Sequence, residues 1–185
     1  MTSNTYGQMA AVEPRYDLFQ RILHWLMAAI ILVAILIGLY CWTQPPGTPT
    51  RVELLEVHKS LGMTALVLVV IRLMWRLVQG VPAYVEKMNP LVHVGAHLAH
   101  WALYAMMLWM PITGYIFSGA GGYSLPFFGL FQWPRLLPHD KTLAHVGAYL
   151  HGVGAYMICA LLLLHLAGVA WHRLIKRDTI LSRML

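Results

Sequence analysis

At 185 residues, 59% hydrophobic and only 11% charged, with a mean hydropathy of +0.62, the chain is too apolar for a water-soluble domain and suits a single membrane domain over 1–185. Thirteen Lys and Arg against seven Asp and Glu give a net charge of +6, but the positive residues scatter at the edges of apolar blocks and form no stripe with interleaved aromatics, which argues against nucleic acid as a partner. Cys41 and Cys159 stand outside any CxxC or CxxCH pattern, so neither covalent c-type haem nor a thiolate zinc site is signalled, and ten histidines remain as the anomaly.

Residues 1–13 are polar, with no basic segment leading into a short apolar run and a small-residue cleavage site, so no removable signal peptide is expected there. The first span covers about 18–42, with Arg21 on its leading turn and His24 just inside, and Pro45-Pro46-Gly47 stops it. The second, about 55–78, carries His58 in its first turns, then Gly62, and Arg72 and Arg76 towards its far end. The third, about 97–118, has His97 and His100 near its start and Pro111 with Gly114 as a kink. The link 119–141 is rich in Gly, Pro and aromatics (Tyr123, Phe127, Phe128, Phe131, Trp133), which suits a segment in the headgroup region with room for a short helix. The fourth span, about 143–172, contains His151, His165 and His172. The expected fold is therefore an all-α, up-down-up-down transmembrane four-helix bundle.

Charge sets the orientation. Arg15, Arg21, Arg72, Arg76, Lys87, Arg173, Lys176, Arg177 and Arg183 lie on one side, nine residues against Arg51, Lys59, Arg135 and Lys141 on the other, which places both termini in the cytoplasm.

Imidazoles buried in hydrocarbon without a partner are costly, so their spacing matters. His151 and His165 are 14 residues apart, roughly 21 Å along a helix and about 40° around it, so they look the same way at two depths. In the expected topology His58 shares the outer level with His151, and His24 the inner level with His165. One pair per layer from facing helices, with the seven Asp and Glu expected only in connectors and ends, points to two bis-histidine haems; a single metal site cannot bridge two layers about 21 Å apart. Arg72 returns to the face of His58 at the inner level, placed for a haem propionate or a quinone headgroup, with snorkelling as the plain reading. His97 and His100 serve the inner propionates or carry protons for a quinone, or are interfacial histidines bridged by water. His172, one heptad beyond His165, is the lesser candidate for the inner ligand. Ala28, Gly62, Gly147, Gly154 and Gly168 leave room beside the rings, as ordinary helix packing would also require. His93, His139 and His145 fall in or beside connectors.

These pieces resemble the bacterial cytochrome b561 family: Arg21 to Trp25 (RILHW), Val57 to Leu77 (VHKSLGMTALVLVVIRLMWRL), Ala96 to His100 (AHLAH) with Pro111 and Gly114, and His151 to His165 with the trailing Arg177-Asp178-Thr179. The resemblance implies an inner-membrane protein with two non-covalent haems b on axial pairs His24/His165 and His58/His151, exchanging electrons with the ubiquinone pool. The outer partner it implies is a periplasmic donor or acceptor, with superoxide one candidate. The alternative is a membrane anchor or relay subunit for a separate periplasmic redox protein.

Overall fold

The computed structural model describes residues 14–82 and 89–185. Four long helices carry the chain: α1, Leu18–Thr43; α2, Pro49–Gln79; α3, Pro90–Ala120; and α4, Lys141–Ala170. Each is long and apolar enough to cross a bilayer; even α1, with 26 residues, extends about 39 Å against roughly 30 Å of hydrocarbon. Short polar side chains set three of the starts. Asp17, Asn89 and Asp140 accept hydrogen bonds from the N–H groups of Gln20, Leu91 and Leu143 at 2.9 to 3.0 Å, satisfying donors that a helix start leaves open.

Two helices run beyond the membrane stretches expected from hydropathy. α2 begins at Pro49 and α3 at Pro90, each with proline in the first turn, where its missing N–H costs nothing. The extra turns carry Thr50, Arg51 and Glu53 on α2 and His93 and Gly95 on α3, and apolar periodicity gave no sign of them. They place His93 on α3 and Glu53 on α2 rather than in a connector, while Glu56 sits at the start of the expected span. The α4 chain continues through a π turn, Trp171–Lys176, ended by Arg177 in the left-handed region (φ 55°), and a 3₁₀ turn, Ile180–Arg183, follows. Lys87 and the N-terminal segment 1–13, used above for orientation and processing, lie outside the described residues.

The close packing runs α1 to α2, α2 to α3 and α3 to α4. A core of Met27, Val69 and Tyr104 joins the first three helices. α4 docks on α3 through glycines: a Cβ at Gly147 would lie 2.7 Å from the Phe117 backbone, and one at Gly154 2.7 Å from Met110 Sδ. Those two glycines are helix-packing positions, whereas a Cβ at Gly62 or Gly168 would meet nothing within 4 Å. Pro111 is accommodated within a continuous α3.

The link after α3 forms a small hairpin in place of the short helix for which room was expected. Pro126–Phe127 pairs antiparallel with Phe131–Gln132, turning through Phe128 and Gly129, both at positive φ (49° and 74°). Tyr115 fixes the segment after the hairpin by donating to the Pro134 carbonyl at 2.6 Å and accepting from the Leu136 N–H at 3.0 Å.

Candidate functional site: two histidine layers

The end of the bundle that carries the start of α1 and the end of α4 is termed inner; there the Tyr16 N–H donates to the Arg183 carbonyl at 3.1 Å. At this level His24 and His165 face each other with ring centres 6.4 Å apart and planes crossed at 71°. At the outer level His58 and His151 face each other at 6.1 Å and 84°. Metal–imidazole bonds near 2 Å, with each ring centre about 1 Å beyond its ligating nitrogen, put two axial rings about 6 Å apart, so both separations fit one iron between each pair.

The outer rings are oriented by the backbone. His58 Nδ1 donates to the Ala34 carbonyl of α1 at 2.9 Å, and His151 Nδ1 to the Met110 carbonyl of α3 at 2.9 Å, with the Thr113 hydroxyl 3.3 Å from the same nitrogen. A carbonyl only accepts, so Nδ1 carries the proton in both rings and Nε2 keeps its lone pair for a metal. Two glycines make these positions possible, Gly114, read above as part of a kink, and Gly38, missed at the sequence level. A Cβ at Gly38 would sit 3.1 Å from His58 Cε1, and one at Gly114 3.1 Å from His151 Cε1. Gly38 follows His24 by 14 residues, the same interval that relates the two layers along α4, and that signal was available.

The inner layer is built differently. Among the described residues neither His24 nor His165 has a hydrogen-bond partner, and a third ring, His100, lies 5.6 Å from His165. His97, three residues before His100, is instead exposed and accepts from Trp101 Nε1 at 2.9 Å. The two α3 histidines therefore have different surroundings. Arg72 is 7% exposed; its Nε donates to the Tyr104 hydroxyl and its Nη1 to the Gln20 carbonyl, each at 3.1 Å. Arg76 lies over the Tyr104 ring at 5.6 Å. His172 Nδ1 meets the Asp178 carboxylate at 2.5 Å.

Two further arginines stand out. Arg21 Nε and Arg51 Nε are buried and have no hydrogen-bond partner among the described residues. Arg21 precedes His24 by three residues and Arg51 precedes His58 by seven, spacings that return to the face carrying each ring. Orphaned guanidinium nitrogens on the helix faces that carry His24 and His58, together with a buried Arg72 that lacks a carboxylate, fit a ligand bearing its own anionic groups. Haem propionates are such groups. No three His, Cys, Asp or Glu side chains converge as a metal-ion site among the described residues, and each layer presents a facing pair of imidazoles.

At the outer end the hairpin latches onto the turn of α2 that bears His58. Lys59 Nζ donates to the Ser124 carbonyl at 2.9 Å, and the Ser60 hydroxyl, 1% exposed, accepts from the Phe128 N–H at 3.0 Å and lies 3.1 Å from the Pro126 carbonyl. Arg135 donates to the Gly122 carbonyl at 3.1 Å.

A four-helix membrane bundle with stacked, facing histidine pairs defines the class of membrane b-type cytochromes. The chain belongs to the prokaryotic cytochrome b561 family, whose model matches residues 15–185, and it is accordingly a bacterial membrane protein of haem b electron transfer. It is 30% identical to cytochrome b561 homolog 2 of Escherichia coli (strain K12) over 92% of this chain and 91% of that one. It is 27% identical to the probable superoxide oxidase CybB of Yersinia pestis, covering 94% and 97% of the two chains, and also 27% identical to cytochrome b561 homolog 1 of E. coli, covering 92% and 97%.

Proposed function

We propose that the protein carries electrons across the bacterial inner membrane through two non-covalent haems b, one held by His24 and His165 and the other by His58 and His151. The observation that carries this reading is the presence of two facing imidazole pairs at separations suited to one iron each, the outer pair with its Nδ1 atoms already committed to carbonyls. Haem b held by these histidines would supply a one-electron iron couple at each depth. The chain does the remaining work. Arg21, Arg72 and Arg51 meet the negative charge of propionates, and the Ala34 and Met110 carbonyls hold the outer rings in one tautomer. The hairpin over Lys59 and Ser60 shields the outer pair from water.

Ubiquinone is the membrane partner in this reading, taking or giving two electrons and two protons, with Arg72, His97 and His100 favouring a site at the inner end. Superoxide is the favoured donor at the outer face, each molecule giving one electron and leaving as dioxygen. The similarity to a probable superoxide oxidase supports that choice, as do Lys59, Arg135 and Lys141 at that end, whose charge would steer an anion inward. Both termini lie in the cytoplasm.

The test is a dithionite-reduced spectrum and iron analysis of purified protein, expected to give low-spin b haem at two irons per chain. His58→Ala and His151→Ala are each expected to remove one and the same haem, and His24→Ala and His165→Ala the other, while His100→Ala leaves two. Loss patterns that pair His58 with His165 would overturn the layer assignment. Superoxide-driven reduction of a soluble ubiquinone by the purified protein alone separates this function from that of an anchor subunit, which would stay silent without its redox partner.

A further inference from the structure

Arg177-Asp178-Thr179 and the turns that follow have no part in the electron path described above, yet they join the end of α4 to the start of α1. α1 and α4 stand at opposite ends of the packing order and share no comparable interface among the described residues. His24 and His165 nonetheless come from these two helices. The outer rings are each fixed by a carbonyl, whereas the inner rings have no such anchor. Through packing alone the inner separation would accumulate the slack of three helix interfaces, while axial ligation tolerates errors of only about 0.2 Å in bond length.

The C-terminal segment spans that gap. Asp178 holds His172 at 2.5 Å at the end of α4 and, through its other oxygen, accepts from the Ile180 N–H at 3.2 Å, which starts the 3₁₀ turn. That turn delivers Arg183, 2% exposed, to the start of α1. Its Nε donates to the Pro14 carbonyl at 3.2 Å, a second guanidinium N–H donates to the Pro82 carbonyl just beyond α2, and the guanidinium lies 5.7 Å from the centre of the Tyr16 ring. The next residue, Met184, accepts from Trp25 Nε1 at 2.9 Å, and Trp25 adjoins His24 in the chain. A link thus runs from the π turn that follows α4, about two turns beyond His165, to the turn that holds His24.

We propose that residues 178–184 form a clasp that sets the spacing of α1 and α4 at the inner level, with Arg183 and Trp25 as positioning residues for the His24/His165 pair. The inference rests on the two-haem reading. The outer haem serves as an internal reference, because its ligands and their carbonyl anchors belong to other contacts.

The experiment compares wild type, Arg183→Ala, Arg183→Lys and Trp25→Phe by iron content, redox titration and the low-temperature electron paramagnetic resonance of the oxidised haems. Arg183→Ala is expected to bring haem from two per chain towards one and to shift or remove the inner signal alone, with Arg183→Lys restoring at least half of the lost haem. Trp25→Phe, which keeps the ring and removes one hydrogen bond, is expected to shift the inner signal with the outer one unchanged, and it decides the matter if Arg183→Ala does not accumulate. Two haems with unaltered signals in the variants, a change in the outer haem alone, or equal loss of both would overturn the clasp. Fewer than two haems in the wild type would instead overturn the two-haem reading itself, so the two failures are distinguishable.

Discussion

Gly38 and Gly114 show how finely single positions set the outer layer. Replacing a helical glycine by alanine gains roughly 0.5–1 kcal/mol from backbone entropy alone, so on propensity both substitutions should be favourable. Here the new Cβ would lie 3.1 Å from an imidazole carbon in each case, and each ring is tied to a carbonyl at 2.9 Å and cannot turn aside without losing that bond. Gly38→Ala and Gly114→Ala are therefore expected to lower occupancy of the outer haem severalfold with the inner haem unaffected, read by redox titration; equal occupancy would show that the rings have more freedom than their hydrogen bonds imply. Arg72 illustrates a different limit of single-residue reading. Its interval of 14 from His58 put it at the inner level, but the phenol of Tyr104 and the Gln20 carbonyl, which occupy Nε and Nη1, come from helices whose register only the packed structure defines.

The elements were legible wherever apolar residues ran on, but capping side chains marked their ends unevenly: the first span was expected to start where Asp17 caps α1, whereas Asn89 caps α3 well before the expected start at about 97. Asp17 is the clearest end. It accepts from the Gln20 N–H at 3.0 Å and from Trp75 Nε1 at 3.2 Å, so it caps α1 and also ties it to the far end of α2. Burial pushes its carboxyl up, but the hydrogen bonds from Gln20, Trp75 and Phe19 together outweigh that and hold it below the ordinary value of 3.8. A carboxylate depressed on folding stabilises the fold fully above the unfolded value, and that contribution is lost as pH falls through the lower, folded value. Acidification below about 3.8 should therefore loosen the inner end of α1. Asp17→Ala should cost about 1 kcal/mol at neutral pH and flatten this acid limb in a thermal-unfolding series in detergent; an unchanged limb would assign the acid sensitivity elsewhere. The hairpin after α3 was the least legible element, because two-residue strands have no periodicity and Phe128 adopts a positive φ that a phenylalanine does not advertise.

On the scale of the whole molecule, the nine-to-four bias in Lys and Arg and the meeting of both termini at one end belong together. A reporter active only in the cytoplasm is expected to work when fused after Leu185 and to fail when inserted at Gly129 in the hairpin; the reverse pattern would invert the molecule, and with it the faces proposed for superoxide and for protons. The order of packing explains a second asymmetry. α2 and α3 lie in the middle and supply most of the core, so the outer pair is stiffened by neighbouring backbone, while the inner pair is formed by the first and last helices and has the C-terminal segment in place of an interface.

The sequence by itself determined the four spans, their alternation and the two depths of histidine, because helical rise and bilayer thickness are fixed lengths that turn residue numbers into heights. Only the tertiary structure decided which side chains surround each pair: the glycines that admit the outer rings, the carbonyls that orient them, the placement of His100 beside His165, and the latches at both ends. These depend on rotation and approach between helices, which arise from side-chain packing between segments far apart in the chain and leave no period in the sequence to read.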